Sequence, residues 1–453
     1  MIDLFNIYKK LPYFLQYIIF NFKAFLIHNR RYKKYFFKNI YKKVLVENKY
    51  NKKSSQVSIE KKLNFFFLEA NNTKYWKEKF FKYKINLNSN NFLNEIKKLP
   101  ILTKEEVKKN IDNIINNKYL DKSIKQNTSG STGSGLFFPI TNFSESYTWA
   151  YWWFYRKKHG IKFNEICAVF AGINIFDINK KKPPFWIYNI FSKQLRVSSQ
   201  HLNIDNVQLI INKIKQKKIR WIHGYPNAIT HLSHLVIEKN IDTSFIKIIS
   251  TGAESLLEHQ IKIINKAFKC NLIQHYGLTE GVANIHQNTN KKLIVDENYS
   301  FVELINFDDD TYKIIGTNFH NMAFPLFRYQ TDDIVKSSCY LKSNFPRVID
   351  EIDGRLETYV NLKNGSKLGR LDYIFKSSTN VVEAQILQKK NYSLEIKIVK
   401  SIKFNLKDEN IIKSEILKVV GKDIETLIKY VKFIKKTKTG KLRFVISELN
   451  NDY

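Results

Sequence analysis

The sequence predicts an α/β protein, with a large N-terminal domain of several subdomains built on mixed sheets and a small α+β domain at its C-terminal end. Three observations carry that expectation. Between residues 166 and 249, short apolar runs alternate with stretches of helical periodicity, the pattern of parallel strands joined by crossover helices. Between residues 293 and 335 the apolar runs follow one another directly, which predicts an antiparallel subdomain. Beyond Gly354, strands such as 393–399 are mixed with a helix around 409–420, as suits a small α+β unit.

Taken in order, residues 1–125 read as helical and basic. They contain a polar stretch at 50–58 expected to be mobile, and a turn at Leu99-Pro100 ahead of Thr103-Lys104-Glu105-Glu106, which has capping-box spacing. Residues 126–356 begin with a Gly-rich loop. Phe137-Phe138-Pro139-Ile140 then predicts a short strand and 143–159 a helix with an aromatic face. Apolar Ile166-Cys167-Ala168-Val169-Phe170, Trp221-Ile222-His223 and Ile246-Lys247-Ile248-Ile249 predict strands, with helices at 206–217 and 228–239 between them. Residues 357–453 form the small domain.

The chain has 453 residues, enough for a substantial core, and a formal net charge of +34. The excess of Lys over acids is spread along the chain rather than focused, and no nucleic-acid-binding motif accompanies it, so it reads as solvated surface without a specific nucleic-acid partner. Cys167, Cys270 and Cys339 make no Cys-x-x-Cys pair, which supports neither a disulfide framework nor a structural zinc site. No run of apolar residues is long enough to span a bilayer, and the N-terminus lacks the order of a secretory signal. A cytoplasmic location follows by default. In residues 2–43, however, Leu4, Phe5, Ile7, Leu11, Phe14, Leu15, Ile18, Ile19, Phe22, Leu26 and Ile27 interleave with Lys9, Lys10, Lys23, Arg30, Arg31, Lys33 and Lys34. Such a basic, aromatic helical pair suits either peripheral association with the anionic inner face of a membrane or an ordinary helical cap on the body of the protein.

Six short motifs carry chemistry. In Asn127-Thr128-Ser129-Gly130-Ser131-Thr132-Gly133-Ser134-Gly135, small residues could bring bare N–H groups and hydroxyls to an anion, although such a stretch equally serves as a flexible turn. It is not a nucleotide P-loop, because Leu136 stands where the phosphate lysine belongs. Ser250-Thr251-Gly252-Ala253-Glu254 leaves an apolar strand through a tight turn, where open α/β sheets put ligands. His275-Tyr276-Gly277-Leu278-Thr279-Glu280 groups an aromatic face, a hydroxyl and a carboxylate after a short strand at 271–274. A carboxylate beside phosphates suits Mg²⁺, while a core tyrosine followed by a surface glutamate is the plainer alternative. Phe327-Arg328-Tyr329-Gln330-Thr331-Asp332-Asp333 offers a carboxylate for the hydroxyls of a ribose, and the role is assigned to Asp333. Asp353-Gly354-Arg355 supplies a guanidinium, and Lys438-Thr439-Gly440-Lys441-Leu442-Arg443 presents Lys441 on a Gly turn.

In their order, these motifs resemble the adenylate-forming superfamily of acyl-CoA synthetases, luciferases and adenylation domains, over about residues 127 to 445. Lys10-Leu11-Pro12, His223-Gly224-Tyr225-Pro226 and Asn364-Gly365-Ser366-Lys367-Leu368-Gly369-Arg370-Leu371-Asp372 extend the resemblance to the phenylacetate-CoA ligase-like branch, and within it to CapK-type members found with capsular and O-antigen polysaccharide genes.

That resemblance implies an ATP- and Mg²⁺-dependent ligase. It would convert a carboxylic acid to an acyl-adenylate and pass the acyl group to a thiol, of coenzyme A or a carrier protein, or to an amine. It further implies that Thr128, Ser129, Gly130, Ser131, Thr132 and Gly133 hold the phosphates, and that Gly252, Ala253, Glu254, Tyr276 and Gly277 frame adenine. Thr279 would then contact the α-phosphate, Glu280 hold Mg²⁺, Asp333 the ribose and Arg355 the nucleotide near the hinge. Lys441 would be the lysine that a mobile C-terminal lid swings in, with His223 and Tyr225 lining the acid pocket. The sequence departs from the family pattern at three places. Asp332 stands for the usual glycine, Glu357-Thr358 for paired aspartates, and Gly135-Leu136 for Pro-Lys. An inactive member of the fold, serving as a peripheral membrane or scaffold protein, is the alternative.

Overall fold

The computed structural model describes residues 4–48, 52–128, 136–171, 175–177, 179–308, 310–337, 347–355, 360–363, 367–368, 371–375, 380–421, 424–436 and 442–449. The chain divides into two compact units. One comprises Met1–Leu26, Asn164–Gln274 and Arg355–Tyr453, the other Ile27–Phe163 and His275–Gly354.

The first unit holds the parallel strands that the alternating pattern predicts. Ile248–Gly252, Trp221–Gly224, Cys167–Phe170 and Gln194–Val197 lie in that order, and Trp186–Asn189 closes the edge antiparallel to Gln194–Val197. These strands are covered by helices Val207–Gln216, Pro226–Glu238 and Glu258–Phe268. In the first of them Val207, Ile210, Ile211 and Ile214 are buried at helical spacing, making the apolar stripe that faces Ile222 and Ile249. Gly224 is required by close approach, because a Cβ there would meet the carbonyl of Phe170 and the side chain of Ile229.

The C-terminal part of this unit is a four-stranded sheet in the order Thr426–Tyr430, Leu394–Lys400, Val381–Gln388, Val445–Ser447. Its central pair is antiparallel and its outer pairs parallel. The helix Leu406–Val420 packs on it through Ile412, Ile416 and Val420. Asn405 caps that helix reciprocally: its side chain accepts from Lys407 N–H at 2.9 Å while the Asp408 carboxylate accepts from Asn405 N–H at 2.9 Å.

The N-terminal segment forms three helices rather than a pair, Leu4–Lys10, Tyr13–Arg31 and Lys34–Glu47. Within the first unit the second of these caps the body, packing Tyr13, Tyr17 and Phe20 on Ile175, Phe176 and Ile187 and adding hydroxyl and amide hydrogen bonds. Tyr13 Oη donates to the carbonyl of Trp186 at 3.3 Å, Asn21 Nδ2 to that of Tyr188 at 3.1 Å, and Asn21 Oδ1 accepts from Ile190 N–H at 2.9 Å.

The second unit is built around an aromatic cage. The helix Lys52–Ala70 starts inside the polar stretch expected to be mobile. It buries Ile59, Leu63, Phe66, Phe67 and Ala70, and a helix nucleated by that stripe extends over preceding residues at little cost. With Trp76 and Phe80 of Lys74–Lys82 it encloses Phe327, whose ring lies 4.7 Å from Phe66, 4.6 Å from Phe67 and 4.7 Å from Trp76. Trp76 Nε1 donates to the carbonyl of Pro325 at 2.8 Å. Thr103 caps Lys104–Lys109 as its spacing predicts, its hydroxyl accepting from Glu106 N–H at 3.2 Å.

Strands Ser300–Asp308, Thr311–Asn318 and Tyr329–Lys336 pair antiparallel in that order, as predicted, and Glu351–Arg355 lies next to the last of them. The cage therefore anchors the entry to Tyr329–Lys336, the strand that carries Asp333.

Candidate active site

Thr128 and Leu136 close the neck of a hairpin between strands Ser123–Asn127 and Phe137–Thr141. Thr128 N–H donates to the Leu136 carbonyl at 2.9 Å and Leu136 N–H to Thr128 Oγ1 at 2.9 Å. Ser129, Gly130, Ser131, Thr132 and Gly133 lie outside the described residues.

Tyr276 and Asp333, 57 positions apart, are brought together in the second unit, with Tyr276 Oη donating to Asp333 Oδ2 at 2.6 Å. Tyr276 is on strand Asn271–Gly277 and pairs with Ile285. Asp333 is buried on strand Tyr329–Lys336, next to a bulge where the register with Thr311–Asn318 shifts between Lys313 and Ile315. Asp332 holds the left-handed conformation, φ 63°, which explains why glycine is usual there. Aspartate tolerates it with its carboxylate satisfied by Gln330 Nε2 at 2.8 Å. Arg328, also left-handed at φ 47°, is structural: its guanidinium pairs with Glu303 at 2.9 Å and donates to the Leu99 carbonyl at 2.6 Å.

Thr279 is exposed and Glu280 buried in the turn after the Tyr276 strand. Asn318 Nδ2 donates to the Glu280 carbonyl at 2.8 Å, and Gly281 follows at φ 69°. His320 Nε2 lies 3.1 Å from the Gly281 carbonyl, an acceptor only, so Nε2 carries the proton and Nδ1 accepts from the Ser144 hydroxyl at 2.7 Å. Burial pushes His320 down to about 3, which keeps it neutral in that tautomer. Gly316 completes the support, since a Cβ there would collide with the Val282 backbone. The turn bearing Glu280 thus lies directly on the sheet that carries Asp333.

Behind Tyr276 is a second buried network. Asn284 Nδ2 donates to Asp296 Oδ2 at 2.6 Å, and His286 Nδ1 lies 3.0 Å from the same oxygen. The amide orientation so fixed makes Asn284 Oδ1 the acceptor for His275 Nε2–H at 2.8 Å. Burial pushes His275 down to about 4. Trp152 and Tyr155 of helix Asn142–Lys158 pack on its ring at 5.3 and 5.6 Å. Asn284, Asp296, Asn318 and His320 have no local motif in the sequence; only the strand pairing reveals their roles.

The remaining predicted residues belong to the first unit. Gly252 ends its strand, and Ala253 turns the chain at φ 68°. Glu254 accepts from Asn227 Nδ2 at 3.0 Å and from Leu442 N–H at 3.2 Å. His223 Nδ1 lies 3.0 Å from Ser250 Oγ, which also accepts from Trp221 Nε1 at 2.8 Å. Tyr225 is the N-cap of Pro226–Glu238, with Pro226 at the first helical position. Lys441 and the Arg355 side chain lie outside the described residues, as do Glu357 and Thr358.

Among the described residues no group of three or more His, Cys, Asp or Glu is placed to hold a metal ion. Mg²⁺ beside a nucleotide needs no such cage, because it takes one or two carboxylates together with phosphate oxygens and water. The buried carboxylate of Glu280, on a turn fixed at its backbone, suits that demand. No helix among the described residues is long and apolar enough to cross a membrane.

The C-terminal residues 360–448 match the family model of the CapK C-terminal domain. Protein CapK of Staphylococcus aureus is 28% identical over 364 residues, covering 78% of this chain and 80% of that protein. A crystal structure of 2-hydroxyisobutyryl-CoA ligase in the postadenylation state, in complex with R3-HIB-AMP, superposes with a TM-score of 0.63 at 12% identity, covering 88% of this chain and 89% of that one. An open conformation of the same ligase with 2-HIB-AMP and CoA gives a TM-score of 0.50 at 13% identity, over 87% of this chain and 91% of that one. The chain is thus similar to Protein CapK over most of both proteins, matches the CapK C-terminal domain at residues 360–448, and shares the α/β fold of 2-hydroxyisobutyryl-CoA ligase.

Proposed function

We propose that the chain is an ATP-dependent ligase that activates a carboxylic acid as its acyl-adenylate and then transfers the acyl group to a thiol, of coenzyme A or a carrier protein, or to an amine. The observation that carries this reading is the Tyr276–Asp333 hydrogen bond at 2.6 Å. It unites an aromatic face and a buried carboxylate from two distant motifs, as binding of an adenosine requires. The likeness to Protein CapK supports a place in capsular or O-antigen polysaccharide synthesis.

In the first half-reaction a carboxylate oxygen attacks the α-phosphorus, the bond to the bridging oxygen breaks and pyrophosphate leaves. Charge gathers on the phosphate oxygens in that step, so donors fixed before the reaction stabilise it most. Thr128, the loop from Ser129 to Gly133 and Thr279 are the donors, Lys441 is the cation, and Arg355 steadies the nucleotide. Tyr276, Gly277, Gly252, Ala253 and Glu254 frame the base while Asp333 takes the ribose hydroxyls. Mg²⁺ held by Glu280 supplies charge neutralisation when bound. His223 and Tyr225 line the acid site. In the second half-reaction the thiol or amine attacks the acyl carbon, loses its proton, and AMP departs. Residues 357–453 act as the lid whose rotation exchanges the two steps.

The test is pyrophosphate–ATP exchange with Mg²⁺ across aryl, fatty, hydroxy and amino acids, with Lys441→Ala alongside. Exchange that depends on one acid and is lost in the variant is the expected result. Absence of ATP binding would sink the ligase reading.

A further inference from the structure

The helix Tyr13–Arg31 is apolar on two faces. Its inner face, within the first unit, buries Gln16, Asn21 and Ala24 and packs Tyr13, Tyr17 and Phe20 on Ile175, Phe176 and Ile187. Gln16 Nε2 donates to the carbonyls of Tyr8 and Lys9 at 3.0 Å, and Asn21 is tied to Tyr188 and Ile190. Its outer face presents Phe14, Ile18, Ile19, Phe22 and Leu26, with Phe14 61% and Phe22 64% exposed. At 3.6 residues per turn, Phe14, Ile18, Phe22 and Leu26 drift slowly round one side and Ile19 widens the stripe, so these side chains form one contiguous apolar strip. The hydrogen bonds of Asn21 fix the rotation of the helix, so the strip cannot turn inward without unpairing a buried amide.

An apolar strip of this size on a surface marks a contact with something. Its charge identifies what. Lys23 is exposed on the same helix and Lys10 is exposed three residues before its start, and no acidic residue occurs between Asp3 and Glu47. In a contact between two copies these like charges would face one another. Anionic headgroups complement them, and aromatic and aliphatic side chains between lysines suit the headgroup–acyl boundary. With Gln16, Asn21 and Lys23 in its length, the helix is not apolar enough to cross a bilayer.

We propose that the helix from Tyr13 to Leu26 docks the protein in plane on an anionic lipid bilayer, with Phe14, Ile18, Phe22 and Leu26 inserted between the acyl chains and Lys10 and Lys23 on the phosphates.

The full chain is co-sedimented with vesicles of phosphatidylcholine alone and with phosphatidylglycerol added, without ATP, so the result is independent of the ligase reading. Binding is expected to the anionic vesicles and to weaken with salt. The triple variant Phe14→Ser, Ile18→Ser, Phe22→Ser should lower partitioning by about tenfold or more. The double variant Lys10→Glu, Lys23→Glu, which leaves every apolar contact in place, should lose the preference for phosphatidylglycerol. Unchanged thermal melting confirms that the triple variant is folded, and if it melts early the lysine variant decides alone. Failure of the full chain to bind anionic vesicles, or equal binding by the lysine variant, would overturn the proposal. So would a concentration-dependent dimer in sedimentation velocity that only the triple variant disperses.

Discussion

The carboxylate of Glu254 holds the backbone N–H of Leu442 at 3.2 Å with one oxygen and the side chain of Asn227 at 3.0 Å with the other. The turn that follows Ile248–Gly252 is thereby tied to the residue next to Lys441.

Under the proposed function, removing that tie should impair the step assigned to Lys441. Glu254→Ala should slow pyrophosphate–ATP exchange by about tenfold, the effect of losing one charge-assisted hydrogen bond of roughly 1.5 kcal/mol. Glu254→Gln, which keeps an acceptor oxygen, should fall between the wild type and alanine. Equal exchange in all three proteins would refute the clamp.

Tyr276→Phe leaves the buried Asp333 Oδ2 without its donor at 2.6 Å. We expect ATP affinity to fall about tenfold, with hydrogen bonds to charged groups contributing about 1.5–3 kcal/mol. Asp333→Asn, nearly isosteric, should weaken ATP binding with little change in the thermal midpoint. Titration calorimetry with ATP reads both.

Asp332 and Ala253 sit in the left-handed region at φ 63° and 68°. Replacing either with glycine relieves a conformation that costs an L-residue about 1 kcal/mol, offset partly by the greater freedom of glycine in the unfolded chain. Urea unfolding should show Asp332→Gly and Ala253→Gly equal to or slightly above the wild type, whereas Asp332→Val should lose about 1–3 kcal/mol.

Burial pushes His234, His259 and His275 down to about 4 and His320 to about 3, from an ordinary value of 6.5. Below pH 6.5 the unfolded chain takes up protons that the folded chain refuses. Stability is therefore fully present above that pH and is lost as pH falls towards 4, by up to about 1.4 kcal/mol per unit for each histidine. Urea unfolding between about pH 7.5 and about pH 5, above the carboxylate range, should show this fall, and His234→Gln should flatten it. A pH-independent midpoint over that window would contradict the neutral, buried state.

Local chemistry settled much of this protein in advance. Periodicity marks Val207–Gln216, Pro226–Glu238 and the strands between them, because an apolar stripe of the right period must find a core whichever fold surrounds it. The cap at Thr103 and the short strand Phe137–Thr141 are legible for the same reason, since their determinants lie within a few residues. The six short motifs are visible as motifs, each self-contained in sequence.

Tertiary structure alone decided what joins them. Tyr276 meets Asp333, His320 reaches Gly281, Asn284 links His275 to Asp296, and Phe327 is caged by Phe66, Phe67 and Trp76. None of these contacts has a periodic or local signature, because each depends on which strands pair and in what register. The same is true of the N-terminal helix. Its apolar residues are plain in the sequence, but which face turns outward is fixed by Asn21 bonding to Tyr188 and Ile190, 167 and 169 positions away.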